Sequence, residues 1–350
     1  MTAIKDRDYF FDNARAILIF LVVLGHLLQP YTSEDKFLQA LYLLIYSFHM
    51  PTFLFISGYF AKNLDKPNYL EKIAKKLLLP YVIFFAFFSL YYYFTGKEDA
   101  IQLDPFNPVF ALWFLLTLFF FHVVLVIVRR YNPYIVLFIS ILVSVLAGFS
   151  GNIDSYMSIS RTIVFFPIFF IGHLVTQSHT EKLRNKKWIP ISIIILITFF
   201  IGYTIHPING DWLLGSTPYT SLESNGEDVY SPLKRLLLYI IILLTMCAFL
   251  NLMPQTKRIY TYIGQRTMFV YLLHGIVIGV IRGFDLYPFK DQISIFTYLY
   301  LFISASVIVL ILSSKWVCKW TNPFINLKRP SQFKNLNFIK QFSKSPKCRD

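Results

Sequence analysis

Ala14-Arg15-Ala16-Ile17-Leu18-Ile19-Phe20-Leu21-Val22-Val23-Leu24-Gly25-His26-Leu27-Leu28-Gln29-Pro30-Tyr31 decides how the chain is read. It is an apolar run long enough to cross a bilayer as a helix, for which about 17–25 residues are needed. It nevertheless contains an arginine and a histidine. Nine comparable runs follow, at 37–60, 77–95, 109–128, 134–150, 159–176, 188–206, 234–252, 260–281 and 295–314. Inside lipid a backbone must satisfy its own hydrogen bonds, so each run is assigned helical. That includes aromatic stretches such as Phe84 to Tyr93, whose composition would otherwise suit a strand. The whole chain agrees with its opening. Of 350 residues 56% are hydrophobic and 15% charged, with 37 Phe and 23 Tyr, whereas roughly 25% of a soluble domain is charged. Mean hydropathy is +0.54. This excludes a disordered chain, a collagen-like fibre and an ordinary cytosolic enzyme. The expected fold is all-α: a polytopic integral membrane protein with ten transmembrane helices, multi-pass in the cell membrane.

Lysine and arginine predict the orientation. They occur at Lys5 and Arg7, then at Lys62, Lys66, Lys72, Lys75 and Lys76, then in every second loop: Arg129 and Arg130; Lys182, Arg184, Lys186 and Lys187; Lys257 and Arg258. The alternate loops are poor in them, and 207–231 holds Asp211, Glu223, Glu227 and Asp228 with no Lys or Arg. Positive charge stays on the cytoplasmic side, so both termini are expected there. No repeat or Pro/Gly-rich linker divides the chain. Residues 1–325 read as one transmembrane domain and 326–350 as a basic cytoplasmic tail, which Lys334, Lys340, Lys344 and Lys347 can hold against the inner leaflet. Loop 207–231 reads as irregular, a solvated connection ahead of the alternative of a lid on a substrate site. The first 25 residues do not read as a cleavable leader, because Asp6, Asp8 and Asp12 interrupt them.

Cys247, Cys318 and Cys348 have neither paired spacing nor metal-ligand spacing, so no disulfide framework and no bound metal are expected. The net charge of +14 is spread over short loops and the tail. It speaks for topology and lipid contact, not for nucleic acid. No Walker loop, dinucleotide fingerprint or zinc-ligand helix is present, which removes ATPases, dehydrogenases and zinc proteases.

Ionisable side chains inside spans are costly and mark function by default. Arg15 and His26 are eleven residues apart, within about 20° of one helix face and roughly 16.5 Å apart along the axis. They cannot touch, so they would serve two ends of one elongated ligand. Taken singly, Arg15 could be an interfacial anchor and His26 a histidine bonded between helices. In the second span His49 lies about 18 Å from the start, near the depth of His26. Pro51 lacks a backbone donor and should free the carbonyl of Ser47, kinking the helix beside His49. His274 and His122 should reach similar depth, and His26 ranks ahead of His49, His274 and His122. Ser57-Gly58 also suits plain close helix packing. Arg161 and Arg266 read as interfacial anchors. Lys72, Lys75 and Lys76 could grip phosphates at the mouth of the third span, or serve only as orientation charges.

Phe11-Asp12-Asn13-Ala14-Arg15 followed by Val22-Val23-Leu24-Gly25-His26 resembles the opening of the membrane acyltransferase-3 family, in its fucose 4-O-acetylase-related branch. The resemblance extends to His49, Pro51, Phe55, Ser57, Gly58 and Tyr59, to the basic pair at Lys72 and Lys75 or Lys76, to Ala111-Leu112-Trp113-Phe114-Leu115, and to Tyr271-Leu272-Leu273-His274. Many members carry arginines where these lysines stand. The resemblance covers roughly residues 9–315. It implies ten helices, a cytoplasmic acyl-CoA donor and a surface-glycan acceptor, with no permanently bound cofactor. On that reading His26, Arg15 and His49 are catalytic, and Arg15, Lys72, Lys75 and Lys76 bind acetyl-CoA or another acyl-CoA. His274, Ser57, Tyr59 and Trp113 then bind the acceptor.

Three functions follow, the last a membrane scaffold or sensor with packed histidines. In the first, the chain is an O-acyltransferase, in its specific form an O-acetyltransferase, that moves an acyl group to a hydroxyl of a cell-surface glycan or its lipid-linked precursor. His26 acts as general base or as a transient acyl carrier. In the second, the chain is a polysaccharide exporter whose midplane histidines line a glycan path. The exporter reading lacks the paired broken helices in matching halves that transporters commonly show.

Overall fold

The computed structural model describes residues 8–95, 98–151, 156–222, 229–290 and 292–326, and every regular element among them is helical. The major helices are α1 (Phe10–Leu28), α2 (Lys36–Phe60), α3 (Tyr69–Phe94), α4 (Trp113–Val128), α5 (Pro133–Ala147) and α6 (Ile159–Leu174). A short α7 (Gln177–Leu183) precedes α8 (Ile189–Ile205). Two single turns, α9 (Asp211–Leu214) and α10 (Tyr219–Leu222), lead to α11 (Ser231–Asn251). The chain ends with α12 (Thr261–Gly264), α13 (Thr267–Gly283), α14 (Ile295–Leu312) and α15 (Lys315–Asn326). Eight stretches are long and apolar enough to cross a membrane, and α5 and α13 are shorter apolar helices.

Coverage sorts the helices into centre and rim. In α1 and α2, 72% of the apolar window is buried, against 28% in α14 and 11% in α8. The bare flanks of α5, α8 and α14 carry Phe138, Ile194 and Phe302, side chains suited to hydrocarbon. The end of the bundle that holds the start of α1, here the basal end, is tied together by polar bonds. Arg184 pairs with Asp8 at 2.6 Å and lies over the Phe10 ring at 3.9 Å. Asn251 donates to the carbonyls of Leu183 and Asn185 at 2.5 and 3.1 Å. At the far end Tyr31 donates to the Pro288 carbonyl at 2.9 Å and Tyr298 to Asp35 at 3.3 Å.

Several expected boundaries move. The third span begins at Tyr69 rather than 77, so Lys72, Lys75 and Lys76 stand on the first turns of α3 instead of before them. The ninth, expected as continuous over 260–281, is broken between α12 and α13. There Gly264 presses onto α1, and Arg266 sits at the break rather than inside a helix. Helix α2 runs unbroken through Pro51. Loop 207–231, expected to be solvated, is packed over its described part: Trp212 and Tyr219 are buried, and Tyr219 donates from its hydroxyl to the Val145 carbonyl and from its amide to that of Gly148, each at 2.8 Å. Residues 223–228 and the tail beyond Asn326, with Lys334, Lys340, Lys344 and Lys347, lie outside the described residues, as do Lys5 and Arg7.

Helices α2 and α6 meet at backbone contact. A Cβ on Gly58 would lie 1.9 Å from the Phe169 carbonyl oxygen, and one on Gly172 would lie 2.1 Å from that of Phe55. Hydrocarbon supplies no solvophobic force between helices, so backbone approach through small residues has to hold them. Gly58→Ala forces the two backbones apart, and overpacking of this kind costs about 1–3 kcal/mol. Its thermal midpoint in detergent is expected to fall by several degrees, and an unchanged midpoint would contradict the packing described.

Candidate active site

Arg15 and His26 both face protein. Arg15 lies over the Phe60 ring at 5.2 Å, pairs with Asp12 at 3.9 Å, and stands close enough to Lys76 for the two charges to act on each other. Higher on the same stripe, the His26 ring is 4.9 Å from Phe110 and 5.4 Å from His274. The stripe that looked like a ladder in the sequence is therefore enclosed by α2, α3, α13 and the segment leading into α4. An apolar groove lined by Ala16, Ile17, Phe20 and Phe302 opens on the other flank of α1. With almost no polar lining, it is suited to hydrocarbon and not to chemistry.

His49 joins through Tyr46, whose ring is 4.6 Å from His49 and 3.9 Å from Tyr42. Tyr46 fits against α1 because residue 25 is glycine: a Cβ there would lie 2.8 Å from the ring. His49 Nδ1 faces the Ile45 carbonyl at 2.8 Å, and His274 Nδ1 faces the Tyr271 and Val270 carbonyls at 2.5 and 3.2 Å. A ring nitrogen held against a carbonyl must carry the proton, so each ring is left with a lone pair on Nε2. His274 Nε2 and His26 Nδ1 are buried and have no hydrogen-bond partner among the described residues. Two neighbouring imidazoles thus turn unpaired nitrogens inward, and unmet buried polar atoms of this kind call for a functional reason. Arg282, which the sequence reading passed over, approaches the His26 carbonyl at 3.4 Å and donates to Gln29 at 2.8 Å. Phe110 and Tyr46 were also passed over. Only Tyr46 had a local signal, its placement one turn before His49.

The other expected site residues separate. His122 does not reach His26; its Nδ1 lies 2.7 Å from the hydroxyl of Tyr69, the first residue of α3, in the basal half. Lys72 donates to the Pro67 carbonyl at 3.1 Å and Lys75 pairs with Glu71, while Lys76 is the one near Arg15. Ser57 donates to the Phe53 carbonyl at 2.8 Å within α2. Tyr59 packs against the Phe11 ring at 4.6 Å, tilted by 38°, at the basal end and away from the imidazoles. Close by, Lys62 donates to the His173 carbonyl, and burial lowers the pKa of its ammonium. Trp113 carries the guanidinium of Arg161 on its ring at 4.8 Å, and Arg161 donates to the Leu214 carbonyl at 3.3 Å.

The start of the first motif is structural. Asn13, fully buried, donates to the carbonyls of Pro254 and Thr256 at 2.8 Å each and accepts from the Thr261 hydroxyl at 2.6 Å. A Cβ on Gly264 would lie 1.7 Å from the Asp12 carbonyl oxygen. These bonds clamp the α11–α12 turn onto α1 and so fix where Arg15 stands.

A multi-pass membrane protein with a basic stripe enclosed at its centre is thus defined, and a family model for an acyltransferase domain matches residues 8–314. The chain belongs to the acyltransferase-3 family. It is 29% identical over 209 residues to the nodulation protein NolL of Sinorhizobium fredii (strain NBRC 101917 / NGR234), covering 54% of this chain and 55% of that protein. It is 24% identical over 314 residues to the nodulation protein NolL of Mesorhizobium japonicum (strain LMG 29417 / CECT 9101 / MAFF 303099), covering 82% of this chain and 80% of that one. The chain thus spans about half the length of the first of these relatives. No solved structure matches.

Asn13→Leu keeps the bulk but strips the partners from two carbonyls and a hydroxyl, each unmet buried group costing about 1–3 kcal/mol. The expected outcome is a lower yield of folded protein and a clearly lower melting midpoint in detergent, read by a thermal-shift assay. Wild-type melting would show that the clamp carries no stability.

Proposed function

We propose that the chain is a membrane O-acyltransferase, in its specific form an O-acetyltransferase, with ten spans and both termini in the cytoplasm. Its donor is acetyl-CoA or another acyl-CoA, and its acceptor is a hydroxyl of a cell-surface glycan or of the lipid-linked precursor. On this reading the basal end faces the cytoplasm. The observation that carries it is the enclosed stripe of α1, which has a guanidinium beside Lys76 at one end and His26 against His274 at the other. Membership of the acyltransferase-3 family supports it. The opening motif Phe11-Asp12-Asn13-Ala14-Arg15 carries the finer assignment to the fucose 4-O-acetylase-related branch.

Arg15 and Lys76, with Lys72 and Lys75 at the rim, attract the nucleotide phosphates of the donor. The roughly 16.5 Å rise from Arg15 to His26 is then spanned by the extended pantetheine arm. His26 takes the proton as the acceptor oxygen attacks the thioester carbonyl; the carbon–sulfur bond breaks and the thiolate leaves with that proton. The lone pair on His274 Nε2 and the ring of His49 keep the compartment polar around the reacting groups, and His274 and Trp113 border the acceptor. Ser57 and Tyr59 support the helix contacts around it.

The reading is tested with purified protein in lipid nanodiscs and radiolabelled acetyl-CoA. Wild-type protein consumes the donor, and His26→Ala, still folded, loses at least about a hundredfold in rate, the usual scale of a general base. A chain that leaves acetyl-CoA intact while glycan still crosses the membrane would be an exporter. Lys76→Ala is expected to raise KM for acetyl-CoA about tenfold with little change in kcat, as loss of uniform binding does. A fall in kcat alone would place Lys76 elsewhere in the reaction.

A further inference from the structure

We propose that Phe110 is the wall that keeps water from the acyl donor at His26, so that the donor is spent on the acceptor and not on hydrolysis. The proposal rests on the acyl-transfer reading above. Phe110 lies in the segment between α3 and α4, yet its partly buried ring packs among helices, 4.9 Å from His26, 5.4 Å from His274 and 6.2 Å from Phe88. Its backbone is in the left-handed region, with φ at +51°, a conformation that L-residues with bulky side chains avoid. Such strain persists only where the surroundings over-determine it.

Here the surroundings do so. The Tyr271 hydroxyl donates to the neighbouring Ala111 carbonyl, and the Tyr81 hydroxyl donates to that of Pro105. Within the same connection, the Phe106 carbonyl accepts from the Met157 amide at 2.7 Å. Space for the ring is made by Gly275, immediately after His274: a Cβ there would lie 2.8 Å from Phe110 Cδ1 and 2.8 Å from Phe88 Cζ. Three tethers and one missing side chain thus deliver an apolar ring to the two imidazoles.

The chemistry explains why an apolar group belongs there. Attack by an acceptor hydroxyl forms a carbon–oxygen ester bond, breaks the carbon–sulfur bond and releases CoA thiol with the hydroxyl proton. Attack by water releases the same thiol and leaves acetate. The two routes differ only in the nucleophile. His26 Nδ1 and His274 Nε2 have no hydrogen-bond partner among the described residues, and buried polar atoms of this kind hold water wherever there is room for it. The Phe110 ring packs against both imidazoles and offers no hydrogen bond.

The test uses full-length protein in nanodiscs with acetyl-CoA alone and no acceptor, with CoA release quantified by chromatography. Phe110→Ala should raise release about tenfold over wild type. Phe110→Leu, which keeps most of the bulk, should stay near wild type, and Gly275→Ala, which expels the ring, should move toward the alanine variant. Imidazole hydrogen–deuterium exchange, read by mass spectrometry, needs no catalysis, and Phe110→Ala should accelerate it at His26 and His274. Unchanged exchange at both histidines overturns the proposal even if no variant consumes acetyl-CoA, an outcome that by itself would count against acyl transfer instead. Accelerated exchange with unchanged CoA release, in protein whose wild type is active, also overturns it, because the ring would then shield imidazoles without guarding the donor.

Discussion

A cation and an imidazole on one helix stripe cannot be left facing hydrocarbon, and the rest of the bundle follows from enclosing them. The cost of exposing Arg15 or His26 to lipid is several kcal/mol. Helices α1 and α2 are accordingly the most covered elements, and α8 and α14 are left to meet lipid. Enclosure differs from neutralisation. Arg15 keeps Asp12, an aromatic ring and the nearby Lys76 as neighbours. His26 receives a second histidine in place of a carboxylate. The stripe therefore runs from a guanidinium at one end to a pair of imidazoles at the other.

Within each motif, carpentry and chemistry are interleaved by helical period. In the first, Asn13 clamps the α11–α12 turn while Arg15, two residues on, faces α2 and α3. In the second, His49 faces Tyr46, whereas Gly58 lets α6 approach to backbone contact. Glycines at 25, 264 and 275 repeat the device, each admitting a group from another element: the Tyr46 ring, the Asp12 backbone and the Phe110 ring. Precision at the imidazoles is thus bought with small residues placed beside them rather than with further polar ones.

Much of the helical content was legible in the sequence because lipid leaves the backbone so few options. The apolar runs map onto helices with shifts of a few residues, and the larger departures have local causes. Helix α3 extends down to Tyr69 because Glu71, Lys72, Lys75 and Lys76 are good helix formers, so a charged start hid two turns of helix. The break between α12 and α13 is set by Asp12 pressing on Gly264, a contact across 252 positions of sequence that no window over 260–281 contains. Loop 207–231 looked solvated from its Gly, Ser and Asn content, but Tyr219, the Gly215 carbonyl and Trp212 anchor it to α5, α6 and α11 respectively.

The sequence by itself determined that this chain lives in a bilayer, that Arg15 and His26 share a face, and that His49 and His274 are polar groups in need of protein around them. Each of those follows from hydropathy and the 3.6-residue period, which act along a single helix. Which helices turn those faces toward one another was decided only in three dimensions. His274 meets His26 while His122 goes to Tyr69, and the charge of Lys76 acts with that of Arg15 while Lys75 pairs with Glu71. Phe110, at the start of the run 109–128, turns out of the fourth span and packs against His26. Helix rotation is set by interlocking side chains from distant positions, and that information does not reside in any one segment.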